Sequence, residues 1–317
     1  VDNQSGSGAL PSVALDSNGR PWIAHLDTVN ARLRVSQWTG TNWSTTSIAD
    51  ASYGQYTYDG PHIAIHSSNE VAVAVVQRPS NQLRVFRTVA GSWTDVLIDT
   101  VGAAGRPNVA YRSSGSLAVF YHRVKSGKNE IVYAYETPNS WVQEVVAVVG
   151  SLGGRTSLVM GPGDQPLVAF FDSNSSSLRF ATRSASGNWS IETPGYGGYS
   201  TAIAMDKNGE PAIAYTTISP LTLNYAHRSG GFWGTSVIDP TAGSGAALAF
   251  DTAGHAHTAT YSGTSNRVRY GRRDASSWVL QTVEAAGFVD ASIGFAVTKA
   301  GDALIAFQQD DRLKMVR

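Results

Sequence analysis

The sequence predicts an all-β chain folded as a seven-bladed β-propeller with four antiparallel strands per blade, and three observations carry the prediction. Tryptophans at 43, 93, 141, 189, 233 and 278 recur at intervals of 50, 48, 48, 44 and 45 residues, each opening a short strand such as Trp93-Thr-Asp-Val-Leu-Ile-Asp99. A period of this size is the mark of a propeller or another array. Ahead of each Trp lie three more apolar runs in constant order. The 32 Gly and 12 Pro, with many Ser, Thr and Asn, are spread evenly, as frequent tight turns require.

The first repeat shows the elements in order: A is Pro11-Ser-Val-Ala-Leu-Asp16, B is Pro21-Trp-Ile-Ala-His-Leu-Asp27, C is Leu33-Arg-Val-Ser-Gln-Trp38, and D is the Trp strand. A runs recur at 61–66, 107–112, 156–161, 201–206, 246–251 and 293–298, and C runs begin at Leu83, Ile131, Leu178, Leu223, Val268 and Leu313. That makes seven blades in one domain spanning 1–317, at 11–50, 61–100, 107–148, 156–194, 201–239, 246–284 and 293–317. Between A and B sit segments such as Ser17-Asn-Gly-Arg20 and Lys207-Asn-Gly-Glu210, which tolerate the positive φ of tight hairpins. Asp16 and Asn18 read as turn residues, because the alternating acids and closing Glu of a calcium loop are missing. Strand A should be innermost, where crowding demands the small Ala14, Ala64, Ala110, Val159, Ala204, Ala249 and Ala296. The seventh repeat stops after strand C. Its blade is expected to be either incomplete or closed by the N-terminus, since Val1-Asp2 matches the end of a D strand such as Ile238-Asp239.

Composition narrows the function classes. Lys plus Arg and Asp plus Glu are both 24, so no net charge draws the chain to nucleic acid or an anionic membrane. No apolar run approaches the length needed to span a bilayer. Val1-Asp2-Asn3-Gln4 has neither Met nor a signal-type core, which suggests a processed, soluble product. With no Cys, disulfides, thiolate metal sites and Cys nucleophiles are excluded.

The repeat, roughly P-S-h-A-h-D-x-x-G-x-P-h-h-A-h-x-D followed by L-x-Y-A and G-x-W, resembles one common in exported bacterial seven-bladed propellers. Gly-Asn-Trp189 and Gly-Gly-Phe-Trp233 loosely resemble the Asp-box turns of sialidase-like propellers, although the Ser-x-Asp-x-Gly-x-x-Trp pattern is incomplete in every repeat. The resemblance implies a secreted or cell-surface location, and a function among polysaccharide-active enzymes, lectins and surface proteins.

No nucleophile elbow, Walker loop, dinucleotide fingerprint or zinc-protease helix is present, so no cofactor is expected. His255 and His257 share a strand face but lack a third ligand, and no metal is expected. Departures from the repeat concentrate in the second and third units. The upper ends of their A and B strands carry His62, Arg78, Asn108, His122 and Arg123, and the longest D–A loop adds Tyr53, Tyr56, Tyr58 and Asp59. Asp27 and Asp172 occupy the corresponding B ends of the first and fourth units. Together these predict one basic, aromatic site at a mouth of the central tunnel, suited to a sugar.

Two functions of different class follow. A polysaccharide lyase on acidic glycans would use Arg123, Arg78 and Asn108 to neutralise a uronate, and Tyr58, His62 and His122 to move protons. In these residue types it resembles the seven-bladed ulvan lyases, which use His, Tyr and Arg. A glycosidase would need a carboxylate pair, for which Asp27, Asp59 and Asp172 are the acids available. A lectin or adhesion module would instead repeat its sites on or between blades, and Arg34, Arg84, Arg179, Arg269 and Lys314 do recur at the second position of strand C. That recurrence equally suits inter-blade ion pairs with Asp16, Asp206 and Asp251. A propeller serving only protein interaction is the remaining alternative. The expected partner is a glycan or polysaccharide; oligomeric state is not readable.

Overall fold

The computed structural model describes residues 1–50, 60–100, 102–151, 154–241, 243–262, 267–285 and 292–317. Its fold is a seven-bladed β-propeller of small antiparallel sheets, each meandering in sequence order. Two compact units divide the chain, Val1–Leu152 with Ala306–Met315, and Gly153–Ile305 with Val316–Arg317.

In the first unit, blade 1 is β1 (Ala9–Leu15), β2 (Pro21–Asp27), β3 (Arg32–Trp38) and β4 (Trp43–Asp50). Blade 2 is β5 (His62–Ile65), β6 (Val71–Gln77), β7 (Gln82–Val89) and β8 (Ser92–Asp99), and blade 3 is β9 (Ala103–Tyr111), β10 (Leu117–Lys125), β11 (Lys128–Glu136) and β12 (Trp141–Val149). The innermost strands neighbour one another, β5 packing against both β1 and β9. Their central Ala14, Ala64 and Ala110 remain partly exposed. The B strands are apolar on both faces because each blade is covered on both sides: Val71 through Val76 are all buried, in a run without polar alternation. The core is a set of inter-blade layers. Ala24, Leu33 and Val35 of blade 1 meet Val71, Val73 and Val75 of blade 2, whose other face, at Ala72, Ala74 and Val76, meets Val109, Leu117 and Val119 of blade 3.

In the second unit, blade 4 is β13 (Ser157–Met160), β14 (Pro166–Asp172), β15 (Ser177–Arg183) and β16 (Trp189–Tyr196). Blade 5 is β17 (Thr201–Met205), β18 (Pro211–Thr216), β19 (Leu223–Ser229) and β20 (Phe232–Asp239). Blade 6 is β21 (Ser244–Phe250), β22 (Ala256–Ser262), β23 (Arg267–Asp274) and β24 (Ser277–Ala285). Here too the inner strands adjoin in sequence, β17 lying against β13 and β21.

Blade 7 is a three-stranded sheet of β25 (Gly294–Val297), β26 (Ala303–Gln309) and β27 (Arg312–Val316). The N-terminus supplies the end of its fourth strand. Asp2 forms an antiparallel bridge with Leu313, matching Asp99 opposite Leu83 in blade 2 and Asp239 opposite Leu223 in blade 5. Ser7 O accepts from Gln308 Nε2 at 3.0 Å, and Gly8 lies so close to the Leu313 backbone that a Cβ would sit 2.6 Å from its Cα.

The turn reading of Asp16 agrees with its contacts. Its Oδ1 accepts the backbone N–H groups of Asn18 at 2.9 Å and Arg20 at 2.8 Å, around a Gly19 with φ of +74°. Asp206 repeats this with Asn208 and Glu210. These acids are therefore not the inter-blade partners of the strand-C arginines. Arg34 pairs instead with Asp2 at 3.0 Å, Arg269 pairs with Asp239, and Arg84 and Arg179 turn to Asp95 and Asp172 of their own blades.

Three inner strands run further than the repeat indicates. β1, β9 and β21 each continue past an irregularity to pair again with the B strand, so β9 begins at Ala103 rather than 107. Removing the Asp2 carboxylate by Asp2→Ala should leave the buried Arg34 guanidinium with the Gln4 amide oxygen and Asp27, 3.6 Å away, and lower stability by about 3 kcal/mol. Urea denaturation checks this, with the exposed Asp274→Ala expected to stay within about 0.5 kcal/mol of the parent.

Candidate functional site

The rim predicted from blades 2 and 3 is organised by the irregularity in β9. Phe120 pairs with Asn108 and His122 with Ala104, so Gly105, Arg106 and Pro107 bow out opposite Tyr121. His62 and His122 sit against the two ends of this bow. His62 Nδ1 accepts the Val109 N–H at 3.2 Å, and a Cβ added to Gly105 would lie 3.3 Å from His122 Nδ1. Asn108 lies between them, buried on β9.

The two imidazoles are both neutral at ordinary pH, for related reasons. Burial pushes His62 down to about 3, the Arg106 cation adding to the effect. Burial alone brings His122 to about 4. Because Nδ1 of neutral His62 is an acceptor, its Nε2 carries the proton and is a fixed donor. His122 is almost fully enclosed, and its Nε2 has no hydrogen-bond partner among the described residues.

Arg106, which the repeat comparison passes over, is a cation of this rim. Its NH2 donates to Pro11 O at 2.7 Å and its Nε to Pro61 O at 3.3 Å, joining the inner ends of blades 1, 2 and 3. The available signal was the Gly105-Arg106-Pro107 segment just ahead of strand A, which the fourth repeat echoes in Gly154-Arg155-Thr156.

The other predicted residues are occupied by the protein. Arg123 is buried with Asp99 at 3.0 Å, Glu130 at 2.6 Å and Gln143 Oε1 at 2.7 Å. Arg78 donates to Asn81 Oδ1, and Asp27 Oδ1 accepts the Asn30 N–H at 2.9 Å in the B–C turn of blade 1. Asp172 belongs to the second unit, where it takes Arg179 at 3.1 Å and the Ser175 hydroxyl at 2.9 Å. Tyr53, Tyr56, Tyr58 and Asp59 lie outside the described residues. His62, Asn108, His122 and Arg106 are thus the group that the structure assembles, and each is positioned by β5, β9 or β10 rather than by a free loop.

His255 and His257, which share a strand face in the sequence, are both engaged by Asp251. His257 is buried, with its ring between Tyr270 OH at 2.6 Å and Asp251 Oδ2 at 3.2 Å, and His255 reaches the same Asp251 oxygen at 2.8 Å. Among the described residues no group of three or more His, Cys, Asp or Glu is placed to hold a metal ion.

No family model and no curated protein matches the chain in sequence. Solved structures do match it in shape. A lectin of Aleuria aurantia in complex with α-methyl-L-fucoside is 13% identical, with a TM-score of 0.63 over 88% of this chain and 97% of that one. A polysaccharide lyase is 9% identical, with a TM-score of 0.57 over 96% and 89%. A microbial sialidase is 10% identical, with a TM-score of 0.59 over 97% and 65%. These likenesses define the class of the fold, a propeller. Among the described residues no helix is long and apolar enough to cross a membrane.

Three histidines are held neutral by burial: His62, His122, and His25, which is brought to about 3 by desolvation and then by Arg34. Their folded values lie below the unfolded value of about 6.5, so between the two the unfolded chain binds more protons. The stability they protect is complete above about pH 6.5 and is lost as pH falls toward about 4 and below. Each should contribute a slope approaching about 1.4 kcal/mol per pH unit in that window. Urea titrations from neutral to acid pH check this, and His122→Gln should reduce the slope by about one proton.

Proposed function

We propose that the chain is a secreted carbohydrate-active propeller that engages an acidic glycan at the rim built by blades 1 to 3. The observation that carries the reading is the pairing of a fixed Nε2–H donor on His62 with the Arg106 cation beside it, held on rigid inner strands. Such donors suit the carboxylate and hydroxyl oxygens of a uronate. Solved structures of the same fold that carry lectin, lyase and sialidase names support the carbohydrate class.

Within this reading the chemistry is β-elimination. A base takes the proton next to the uronate carboxylate, a carbon–carbon double bond forms, the bond to the leaving oxygen breaks, and that oxygen is protonated. His62 and Arg106 are proposed to hold the carboxylate through which charge develops, with Asn108 in support. Tyr58 and His122 are proposed to move the proton. Tyr53, Tyr56, Asp59, Arg78 and Asp27 are proposed to shape and charge the surroundings.

A binding-only reading has one observation in its favour, namely clefts that recur between consecutive blades of the second unit. The deciding experiment offers soluble polyuronates and neutral polysaccharides to the full chain, following both retention and the ultraviolet absorbance of unsaturated uronate ends. Elimination is expected on a polyuronate, with His62→Ala reducing kcat/KM by roughly a hundredfold or more. Retention without new absorbance would leave a glycan-binding protein and remove the lyase. Neither signal on any glycan, or full activity in both His62→Ala and Arg106→Ala, would remove the rim site.

A further inference from the structure

Consecutive blades of the second unit leave clefts at the end of the strands that bears the A–B turns. The cleft between blades 4 and 5, about 290 Å³, is lined by Phe180, Glu192, Glu210 and Arg228 among others. That between blades 5 and 6, about 310 Å³, is lined by Asp206, Lys207, Tyr225, His227, His255 and Arg273 among others. The two are equivalent by register. Arg228 lies opposite Trp233 and Arg273 opposite Trp278 in their blades. Each Trp meets the preceding blade's C-strand aromatic edge-on, Trp233 on Phe180 at 5.0 Å and Trp278 on Tyr225 at 5.4 Å.

One residue breaks the equivalence. Glu192, the cross-strand partner of Phe180, accepts from Trp233 Nε1 at 2.7 Å and pairs with Arg228 at 3.3 Å. The cross-strand partner of Tyr225 is Ser236. Accordingly Trp278 Nε1 is enclosed with no hydrogen-bond partner among the described residues, while the Arg273 guanidinium rests 5.2 Å from the Tyr225 ring centre. Among the described residues no carboxylate pairs with Arg273.

The nearby acids do not compensate. Asp206 takes His227 at 3.1 Å and two turn N–H groups, and Asp251 takes His255 and His257. Lys207 adds a second cation, its ammonium donating among the described residues to the Ala253 carbonyl. The cleft therefore presents an oriented guanidinium without counter-charge, beside imidazole and carboxylate edges able to bind hydroxyls. A guanidinium held against a ring favours a carboxylate, and a volume near 300 Å³ lies at the small end of ligand sites.

We propose that the cleft between blades 5 and 6 binds a monosaccharide-sized hydroxylated carboxylate, a uronic acid, whose carboxylate serves Arg273 as Glu192 serves Arg228. The hydroxyls meet His227, His255 and Asp206. This site shares no residue with the rim of blades 1 to 3.

Calorimetric titration of the full chain with glucuronate, glucose and acetate tests it. Glucuronate should bind at one site per chain, with glucose and acetate at least tenfold weaker. Ser236→Glu returns to blade 5 the acid that blade 4 has, and should weaken glucuronate at least tenfold while leaving the thermal midpoint unlowered. Arg273→Ala should weaken it equally, whereas Arg228→Ala and His62→Ala should not alter it, which separates this site from the rim. The proposal is overturned by an absence of glucuronate binding to the parent chain. It is equally overturned if binding survives in Ser236→Glu or Arg273→Ala, or if acetate or glucose binds as tightly.

Discussion

A carboxylate at the end of one blade's outer strand, buried against a guanidinium of the next blade, is the constraint on which the rest of the first unit depends. Asp99 of blade 2 takes Arg123 of blade 3, and Asp2, completing blade 7, takes Arg34 of blade 1. The same link recurs inside the second unit, where Asp239 of blade 5 takes Arg269 of blade 6. Apolar layers between sheets supply most of the favourable free energy, but they are nearly indifferent to sliding and rotation of one sheet on another. A buried ion pair is not, because moving either partner leaves a charge without compensation. The pair thus adds little net stability while fixing the angle at which neighbouring blades meet. In blade 3 the strand-C position of the cation holds Val132, and Arg123 reaches the acid from the adjacent strand instead, with Tyr121 donating to the same Asp99 oxygen at 2.6 Å. The charge is retained where its residue position is not.

That substitution explains what was legible in the sequence and what was not. Blade number, strand order and the inner position of strand A follow from a period and from small residues at fixed places, and a period survives any local detail. The closure of blade 7 was readable only as two possibilities, since two residues carry no periodicity. What settles it is a backbone bridge from Asp2 to Leu313 together with the demand of Arg34 for a counter-charge. The partners of the strand-C arginines were misread for a similar reason. Asp16, Asp206 and Asp251 recur just as regularly, but their carboxylates are taken by turn N–H groups, and regularity alone cannot distinguish a cap from an ion pair.

The rim shows the same limit at finer scale. Lining up equivalent strand ends collects His62, Asn108 and His122, which lie beside one inner strand, because equivalent ends share a level of the sheet. It does not assign depth. The β9 bow lies against His122, a neutral imidazole in an enclosed space, while Arg106 comes to the rim from within the bow, one residue ahead of the run that the repeat marks as strand A. Arg123, equally conspicuous in sequence, is absorbed by the inter-blade link. A polar residue that departs from a repeat is thus ambiguous until its neighbours are known: it can serve the scaffold where another blade uses a different residue, or it can be left over.

Seven copies of one sheet provide an internal control for that ambiguity. Between blades 4 and 5 the Trp233 indole N–H and the Arg228 guanidinium both meet Glu192, and the residues around that junction are accounted for by packing. Where the homologous junction keeps the guanidinium and the indole but replaces the acid by Ser236, packing no longer accounts for them, since a cation beside an apolar ring without a counter-charge is held at a cost. The two junctions share register and surrounding strands, and the partner offered to the indole and the guanidinium differs between them as Glu192 against Ser236. A group retained at such a cost, facing a cleft large enough for a sugar, is where selection for binding leaves a physical trace in a repeat protein.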